Sequence, residues 1–227
     1  MKEGKQTTKK TRVLIVDDHP MTRAGLVHVI NHQSDMIVCG EAESAAQALD
    51  ILESSQPDLL LIDITLPGKS GLELIKDVKA MQPELLMLVV SMHDESLYAD
   101  RVLRAGARGY ITKHEGGEKL MQAIRHVVSG RIYVSESMSA HILEIFSGGG
   151  PTGLDRTSIE NLSDREFEVF ASLGQGLSSQ QIARKLHLSA KTVDAHRANI
   201  KTKLSIKTTA ELIAYAARWI SHQAQER

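Results

Sequence analysis

The stretch LLLIDITLPGKSGLEL, from Leu59 to Leu74, constrains the fold more than any other part of the chain. Leu59 to Ile62 form an unbroken apolar run, which suits a parallel strand covered on both faces better than a half-exposed alternating one. Asp63 stands where the run stops. Pro67, Gly68 and Gly71 are turn residues, and Leu72, Leu74, Ile75 and Val78 then recur at helical spacing. A carboxylate at the carboxyl end of a central parallel strand lies on the rim where open α/β sheets place their ligands.

The same alternation extends on both sides of this stretch. Strands are predicted near Arg12–Asp17, Met36–Ala42, Leu59–Asp63, Leu85–Ser91 and Gly109–Thr112. Between them, helices are predicted near Met21–Asn31, Ala45–Glu53, Gly71–Met81, Ser96–Arg104 and Glu118–Ser129. This pattern implies an α/β fold, a five-stranded doubly wound parallel sheet. Beyond Gly130 the pattern stops: Tyr133–Phe146 has room for one short helix, and SGGGP at Ser147–Pro151 has the composition of a flexible linker.

The remaining segment is helical throughout. Capping boxes are read at Ser163 with Glu166, Ser178 with Gln181 and Thr208 with Glu211, and Ser189 caps a helix over Ala190–Leu204. Short helices parted by a tight turn at His187–Ser189 describe a small all-α helix-turn-helix domain. Charge divides along the same boundary. Thr11–Tyr133 holds 12 Lys and Arg against 17 Asp and Glu, whereas Asn161–His222 holds 9 against 5. A basic second part points to nucleic acid. The single cysteine, Cys39, has no partner in the chain and is expected to be a buried core thiol. No apolar run is long enough for a membrane span and the basic N-terminus has no signal-peptide core, so a cytoplasmic protein is expected.

Three acids need a joint explanation. Asp17 and Asp18 close the first strand and Asp63 the third; in strand order 2-1-3-4-5 these strands are neighbours, and the carboxylates converge. Like charges about 4 to 6 Å apart repel by several kcal/mol, so a cation must sit among them. Oxygen-only ligands on an open rim suit Mg²⁺. A carboxylate beside that ion can act as a nucleophile towards phosphorus. Ser91 ends the fourth strand with a hydroxyl that can donate to phosphate, and Lys113 follows the fifth with an ammonium.

DDH at Asp17–His19, the Leu59–Leu74 stretch, VVSMHDE from Val89 and ARGYITK from Ala107 together resemble the receiver domain of bacterial two-component response regulators. The resemblance implies a flavodoxin-like receiver at 11–130 in which Asp63 accepts a phosphoryl group from a sensor histidine kinase. It also implies that Asp17, Asp18, Asp63 and the backbone carbonyl of Thr65 hold Mg²⁺, that Lys113 pairs with the phosphoryl group, and that Ser91 and Tyr110 form the switch pair. Thr65 and His93 occupy positions that tune the lifetime of the phosphoryl bond in that family. LSDREFEV, GLSSQQIA and AKTVDAHRANIKTKL similarly resemble the helix-turn-helix of the LuxR, NarL and FixJ type, placing a linker at 131–160 and a DNA-binding domain at 161–222. There Ser179–Leu186 is the supporting helix and Ala190–Leu204 the recognition helix. Val193, Ile200 and Leu204 form its buried stripe, and Lys191, Arg197, Lys201 and Lys203 are cations on its polar face. Asp194, Ala195 and Ala198 are expected to face base edges, with Lys191, Thr192, Arg197 and Lys201 on backbone or neighbouring bases. The resemblance implies double-stranded DNA, RNA polymerase and a second copy of the chain as partners, the final helix, Thr209–Ile220 with Leu212, Ile213 and Trp219, supporting the dimer.

The function expected is a transcriptional response regulator, not an enzyme, switched by Mg²⁺-dependent phosphorylation of Asp63. The alternative is a receiver-like regulator that binds DNA without phosphorylation. A phosphatase of the haloacid-dehalogenase type requires a second acid two residues after the nucleophile, where this chain has Thr65. An autoinducer-binding regulator requires a ligand-enclosing first domain, at odds with the acid pattern.

Overall fold

The computed structural model describes residues 10–146 and 159–225. The SGGGP stretch and the basic N-terminus therefore lie outside the described residues, apart from Lys10 onward. Strands β1 (Thr11–Val16), β2 (Met36–Ala42), β3 (Leu59–Ile62), β4 (Leu86–Ser91) and β5 (Gly109–Thr112) form one parallel sheet in the order β2-β1-β3-β4-β5. The helices between and after them are α1 (Pro20–Asn31), α2 (Ala45–Ser55), α3 (Gly71–Met81), α4 (Glu95–Ala105) and α5 (Gly116–Val128). A 3₁₀ turn at Lys113–Glu115 runs directly into α5, which starts at Gly116 rather than at Glu118 as expected.

The unbroken apolar runs are explained by burial on both faces. Leu14, Val16, Leu60, Ile62, Met87 and Val89 pack on one side, with the apolar faces of α2, α3 and α4. Val13, Ile15, Leu59, Leu61, Leu88, Val90 and Ile111 pack on the other, with α1 and α5. Side chains alternate faces along a strand, so a strand with helices above and below must be apolar at every position. Cys39 departs from expectation. It is only half-buried against the core, because β2 is an edge strand covered less completely than β1 or β3. Burial still pushes its thiol pKa up.

The described part of the segment expected to be linker has regular structure. Tyr133 bridges to the edge of β5, with its amide donating to the Arg108 carbonyl and its own carbonyl accepting from Tyr110. Helix α6 (Glu136–Phe146) follows, as the pattern over Tyr133–Phe146 allowed. The helical unit then contains α7 (Asp164–Gly174), α8 (Ser179–Lys185), α9 (Ala190–Lys203) and α10 (Thr209–Gln225). All three expected capping boxes form: the Ser163, Ser178 and Thr208 side chains accept from the third residues of their helices, whose side chains return to the cap amides. The Ser189 hydroxyl accepts from the Thr192 amide and starts α9.

Helix α7 joins the two units. Phe167 is buried with its ring edge-on to Tyr98 of α4 at 5.3 Å, and the Arg101 guanidinium lies 4.1 Å from its centroid. The Lys76 ammonium is 2.6 Å from Asp164, and Arg101 donates to the Leu162 and Ile159 carbonyls. Arg165 donates to the carbonyls of Leu66 and Gly68 and, at 2.7 Å, to Glu168, which is fully buried. Burial pushes the Glu168 pKa up to about 7, against the opposing pull of the Arg165 charge. A carboxyl with a raised folded pKa binds its proton more tightly folded than unfolded. It therefore favours the folded chain in acid, and that contribution disappears as pH rises from the ordinary carboxylate range through about 7. Glu168→Gln removes this titration. The unfolding free energy of the variant relative to the parent is expected to rise by on the order of 2–3 kcal/mol between about pH 5 and pH 8 in urea titrations. A difference that stays flat with pH would mean an ordinary carboxylate at this position.

Candidate functional site

The acids meet at the carboxyl end of the sheet. Asp17 follows β1, donating its amide to the Ala42 carbonyl, and Asp63 follows β3, donating its amide to the Val16 carbonyl. The strand ladder therefore sets both positions. The β3–α3 connection is held tight behind Asp63 at Gly71, whose amide donates to the Ile64 carbonyl; a Cβ there would lie 2.1 Å from the Asp63 carbonyl oxygen. No other residue fits so close an approach of backbone to backbone.

Asp17, Asp18, His19 and Asp63 each offer a ligand atom, all within 4.8 Å of one another. One cation among them is a side chain: Lys113 Nζ lies 2.7 Å from both Asp17 and Asp63, with only 8% of its side chain exposed. One ammonium among three carboxylates leaves an excess of negative charge. Asp63 Oδ1 is also buried without a hydrogen bond. An unpaired carboxylate oxygen in so buried a place is costly unless a cation joins it. The donor set therefore fits a hard divalent ion held by oxygen. Burial pushes the Asp63 pKa up, with Lys113 opposing and Asp17 adding to the rise.

The other expected residues surround this cluster. Ser91 is fully buried, and its oxygen accepts weakly from the His93 amide at 3.4 Å. The Tyr110 ring is turned inward and buried, its hydroxyl donating to the His93 carbonyl at 2.9 Å. Thr65 Oγ1 is 2.9 Å from His93 Nε2. His93 is held neutral, its pKa lowered to about 3 by burial and then by Lys185 and Lys113. Thr65 thus supplies a hydroxyl and no acid two residues after Asp63, where a phosphatase of the haloacid-dehalogenase type requires its proton donor.

Sequence reasoning missed two imidazoles. His19 Nδ1 lies 2.6 Å from Asp18 Oδ1, and His187 Nε2 lies 2.9 Å from Asp18 Oδ2. His19 was visible as the neighbour of two acids, whereas nothing local to His187 signals the contact.

On α9, Val193 and Ile200 are buried and Leu204 is partly so, giving the expected stripe. Lys191, Asp194, Ala195 and Ala198 are exposed, and Thr192, Arg197 and Lys201 are partly exposed. Three of these side chains are engaged within the unit: the Thr192 hydroxyl lies 2.7 Å from the Ser189 hydroxyl, and Arg197 donates to Asp194 at 3.0 Å and to the Ser179 hydroxyl at 2.6 Å. Lys203 is not a free cation of the polar face, because its ammonium donates to Glu166 at 2.7 Å and to the Asn161 carbonyl. Among the described residues no helix is long and apolar enough to cross a membrane.

Comparison with known proteins gives a consistent picture. Residues 13–125 match the family described as response regulator receiver domain, and residues 160–216 match bacterial regulatory proteins of the luxR family. The oxygen regulatory protein NreC of Staphylococcus aureus is 36% identical over 210 residues, covering 91% of this chain and 97% of that protein. Among solved structures, RcsB from Salmonella enterica serovar Typhimurium, bound to a promoter in the presence of the phosphomimetic BeF3−, aligns with a TM-score of 0.61 at 25% identity. That match covers 92% of this chain and 99% of RcsB. A LuxR-family two-component response regulator from an Aurantimonas species aligns with a TM-score of 0.57 at 32% identity, covering 61% of this chain and 99% of the other.

Proposed function

We propose, from the premise that this chain belongs to the two-component response regulators that join a receiver domain to a LuxR-type DNA-binding domain, that Asp63 is its phosphoacceptor. The observation that carries this reading is the buried Oδ1 of Asp63, without a hydrogen bond, beside the ammonium of Lys113 and the carboxylates of Asp17 and Asp18. An Asp63 carboxylate oxygen forms a bond to phosphorus while the bond from phosphorus to the imidazole nitrogen of a sensor histidine kinase breaks. Asp17, Asp18, Asp63 and the Thr65 carbonyl would hold Mg²⁺, which when bound offsets the charge on the transferring group. Lys113 pairs with the phosphoryl oxygens, and Ser91 and Tyr110 carry the change towards α4 and β5.

The output is transcriptional, with no turnover of an outside substrate. Lys191, Thr192, Asp194, Ala195, Arg197, Ala198 and Lys201 form the surface offered to double-stranded DNA, and two copies of the chain read two half-sites. Arg197 starts from a bracket with Asp194 and Ser179, so its role on DNA includes positioning Asp194. We place the protein in the cytoplasm, with RNA polymerase as its downstream partner. Its domains are taken as 11–130 and 161–222, with 131–160 between them.

The test is to incubate the full chain with Mg²⁺ and acetyl phosphate and measure its intact mass. One added phosphoryl group is expected, released by hydroxylamine and absent both without Mg²⁺ and in Asp63→Asn. A modification that persists in Asp63→Asn would move the acceptor elsewhere. An unmodified parent chain that still bound DNA specifically would favour a regulator that needs no phosphorylation.

A further inference from the structure

We infer that His28 and His32, joined by Glu118 across the groove between α1 and α5, form a binding site for a late first-row divalent ion of the zinc class, separate from the acidic rim.

His28 and His32 stand four residues apart at the end of α1, a spacing that sets two side chains one above the other on one face of a helix. The rings do meet, their centroids 4.3 Å apart. Two imidazoles at that spacing are the pair from which helical zinc sites are built. The His32 ring is also oriented for the task. Its Nδ1 lies 3.2 Å from the His28 carbonyl oxygen, which can only accept, so Nδ1 carries the proton and the neutral ring keeps its lone pair on Nε2. A backbone carbonyl that holds the far nitrogen is a common support of a metal-bound imidazole. The His32 amide donates to the same carbonyl at 3.2 Å, so ring and backbone are fixed on one atom.

The third donor comes from α5. A groove of about 560 Å³ runs beside the two rings, and Glu118, Gln122 and Arg125 line its other wall. Val29 packs under Gly117, where a Cβ would lie 3.5 Å from its methyl groups, so the next residue, Glu118, starts beside the histidine face. Glu118 is exposed and free to turn towards the rings. Among the described residues, none of His28, His32 and Glu118 has an ion pair to give up. Arg125, whose charge opposes an ion, is turned to Gln33 at 2.8 Å and to Asp35 at 3.5 Å. The carbonyls at the end of a helix favour positive charge as well. Imidazole nitrogens suit zinc, nickel and copper, whereas Mg²⁺ prefers an oxygen-only set such as the acidic rim. An ion held by both histidines and Glu118 ties α1 to α5, with water completing its shell.

The experiment titrates Zn²⁺ into the full chain by calorimetry, with and without excess Mg²⁺, at about pH 7.5, where ordinary imidazoles are largely neutral. The proteins are the parent, His28→Gln, His32→Gln and Glu118→Gln, and NMR of the histidine rings locates the ion. One Zn²⁺ is expected to bind the parent with an affinity that Mg²⁺ leaves unchanged. Each histidine variant is expected to weaken it by at least about tenfold, the lower end for disturbing a metal shell, and Glu118→Gln by a smaller factor. The ring signals that Zn²⁺ moves in the parent should be those missing from the two histidine variants. Should a variant not fold, the parent spectrum decides, because the two shifted rings must show a mutual NOE. Zn²⁺ that Mg²⁺ displaces, or that moves only the ring of His19, belongs to the acidic rim and overturns the site. Unchanged affinity in both histidine variants overturns it too, and unchanged affinity in Glu118→Gln overturns the tie between α1 and α5.

Discussion

Lys113→Met is expected to lower the unfolding free energy by about 3–5 kcal/mol when divalent ions are chelated, and to regain much of that loss in saturating Mg²⁺. The reason lies in the charge count at the rim. Lys113 Nζ is 2.7 Å from both Asp17 and Asp63, and all three side chains are almost wholly buried. Methionine keeps the length and apolar stem of lysine and deletes only the charge, leaving the carboxylates to repel one another in a poorly solvated site. An ion that binds only the folded chain adds about 2.7 kcal/mol at a hundredfold excess over its dissociation constant. Urea titrations of parent and variant, each in chelator and in Mg²⁺, measure both effects. A variant as stable as its parent under chelation would show that Lys113 does not neutralise the cluster, and a loss that Mg²⁺ leaves untouched would remove the cluster as an ion site.

Arg165→Met is expected to cost about 3–5 kcal/mol near pH 8, and Arg165→Met with Glu168→Leu to recover most of it. Glu168 is fully buried, and one of its oxygens already lacks a hydrogen bond; the other depends on Arg165 at 2.7 Å. Removing Arg165 alone leaves a carboxylate with no counter-charge inside α7 and frees the Leu66 and Gly68 carbonyls across the interface. Removing both partners for apolar groups deletes the desolvation cost along with the attraction. Near pH 5 the single variant should lose less, because Glu168, with its pKa at about 7, is protonated there and carries no charge to strand. The thermodynamic cycle of the four proteins gives the coupling directly. If the double variant is no more stable than Arg165→Met alone, the loss comes from the interface carbonyls and not from the orphaned charge.

Much of the architecture was legible because its causes are local. Leu59–Ile62 could be read as a doubly covered strand since a parallel strand between two helical layers must be apolar on both faces. The capping boxes at Ser163, Ser178 and Thr208 were legible because the groups that pair are three residues apart. The meeting of Asp17, Asp18 and Asp63 followed from strand order, although the residues are far apart in the chain. Errors arose where a side chain's partner lies on another element. Lys203 was read as a cation of the polar face and instead holds Glu166 of the α7 capping box. The bracket of Arg197 by Asp194 and Ser179 was not legible, because Ser179 lies on α8. Cys39 was read as core, but whether a residue on an edge strand is covered depends on what packs beside it.

The sequence by itself determined a parallel α/β unit followed by a helical one and, given the common strand order, the convergence of three acids at one rim. Apolar period, capping chemistry and turn residues act over a few positions and leave marks in the chain. Only the tertiary structure decided that α7 carries a buried Arg165–Glu168 pair across from the Asp63 loop, and that His187 reaches Asp18. Those contacts join surfaces of two separately built units, and no local pattern in either surface encodes which face of the other it will meet.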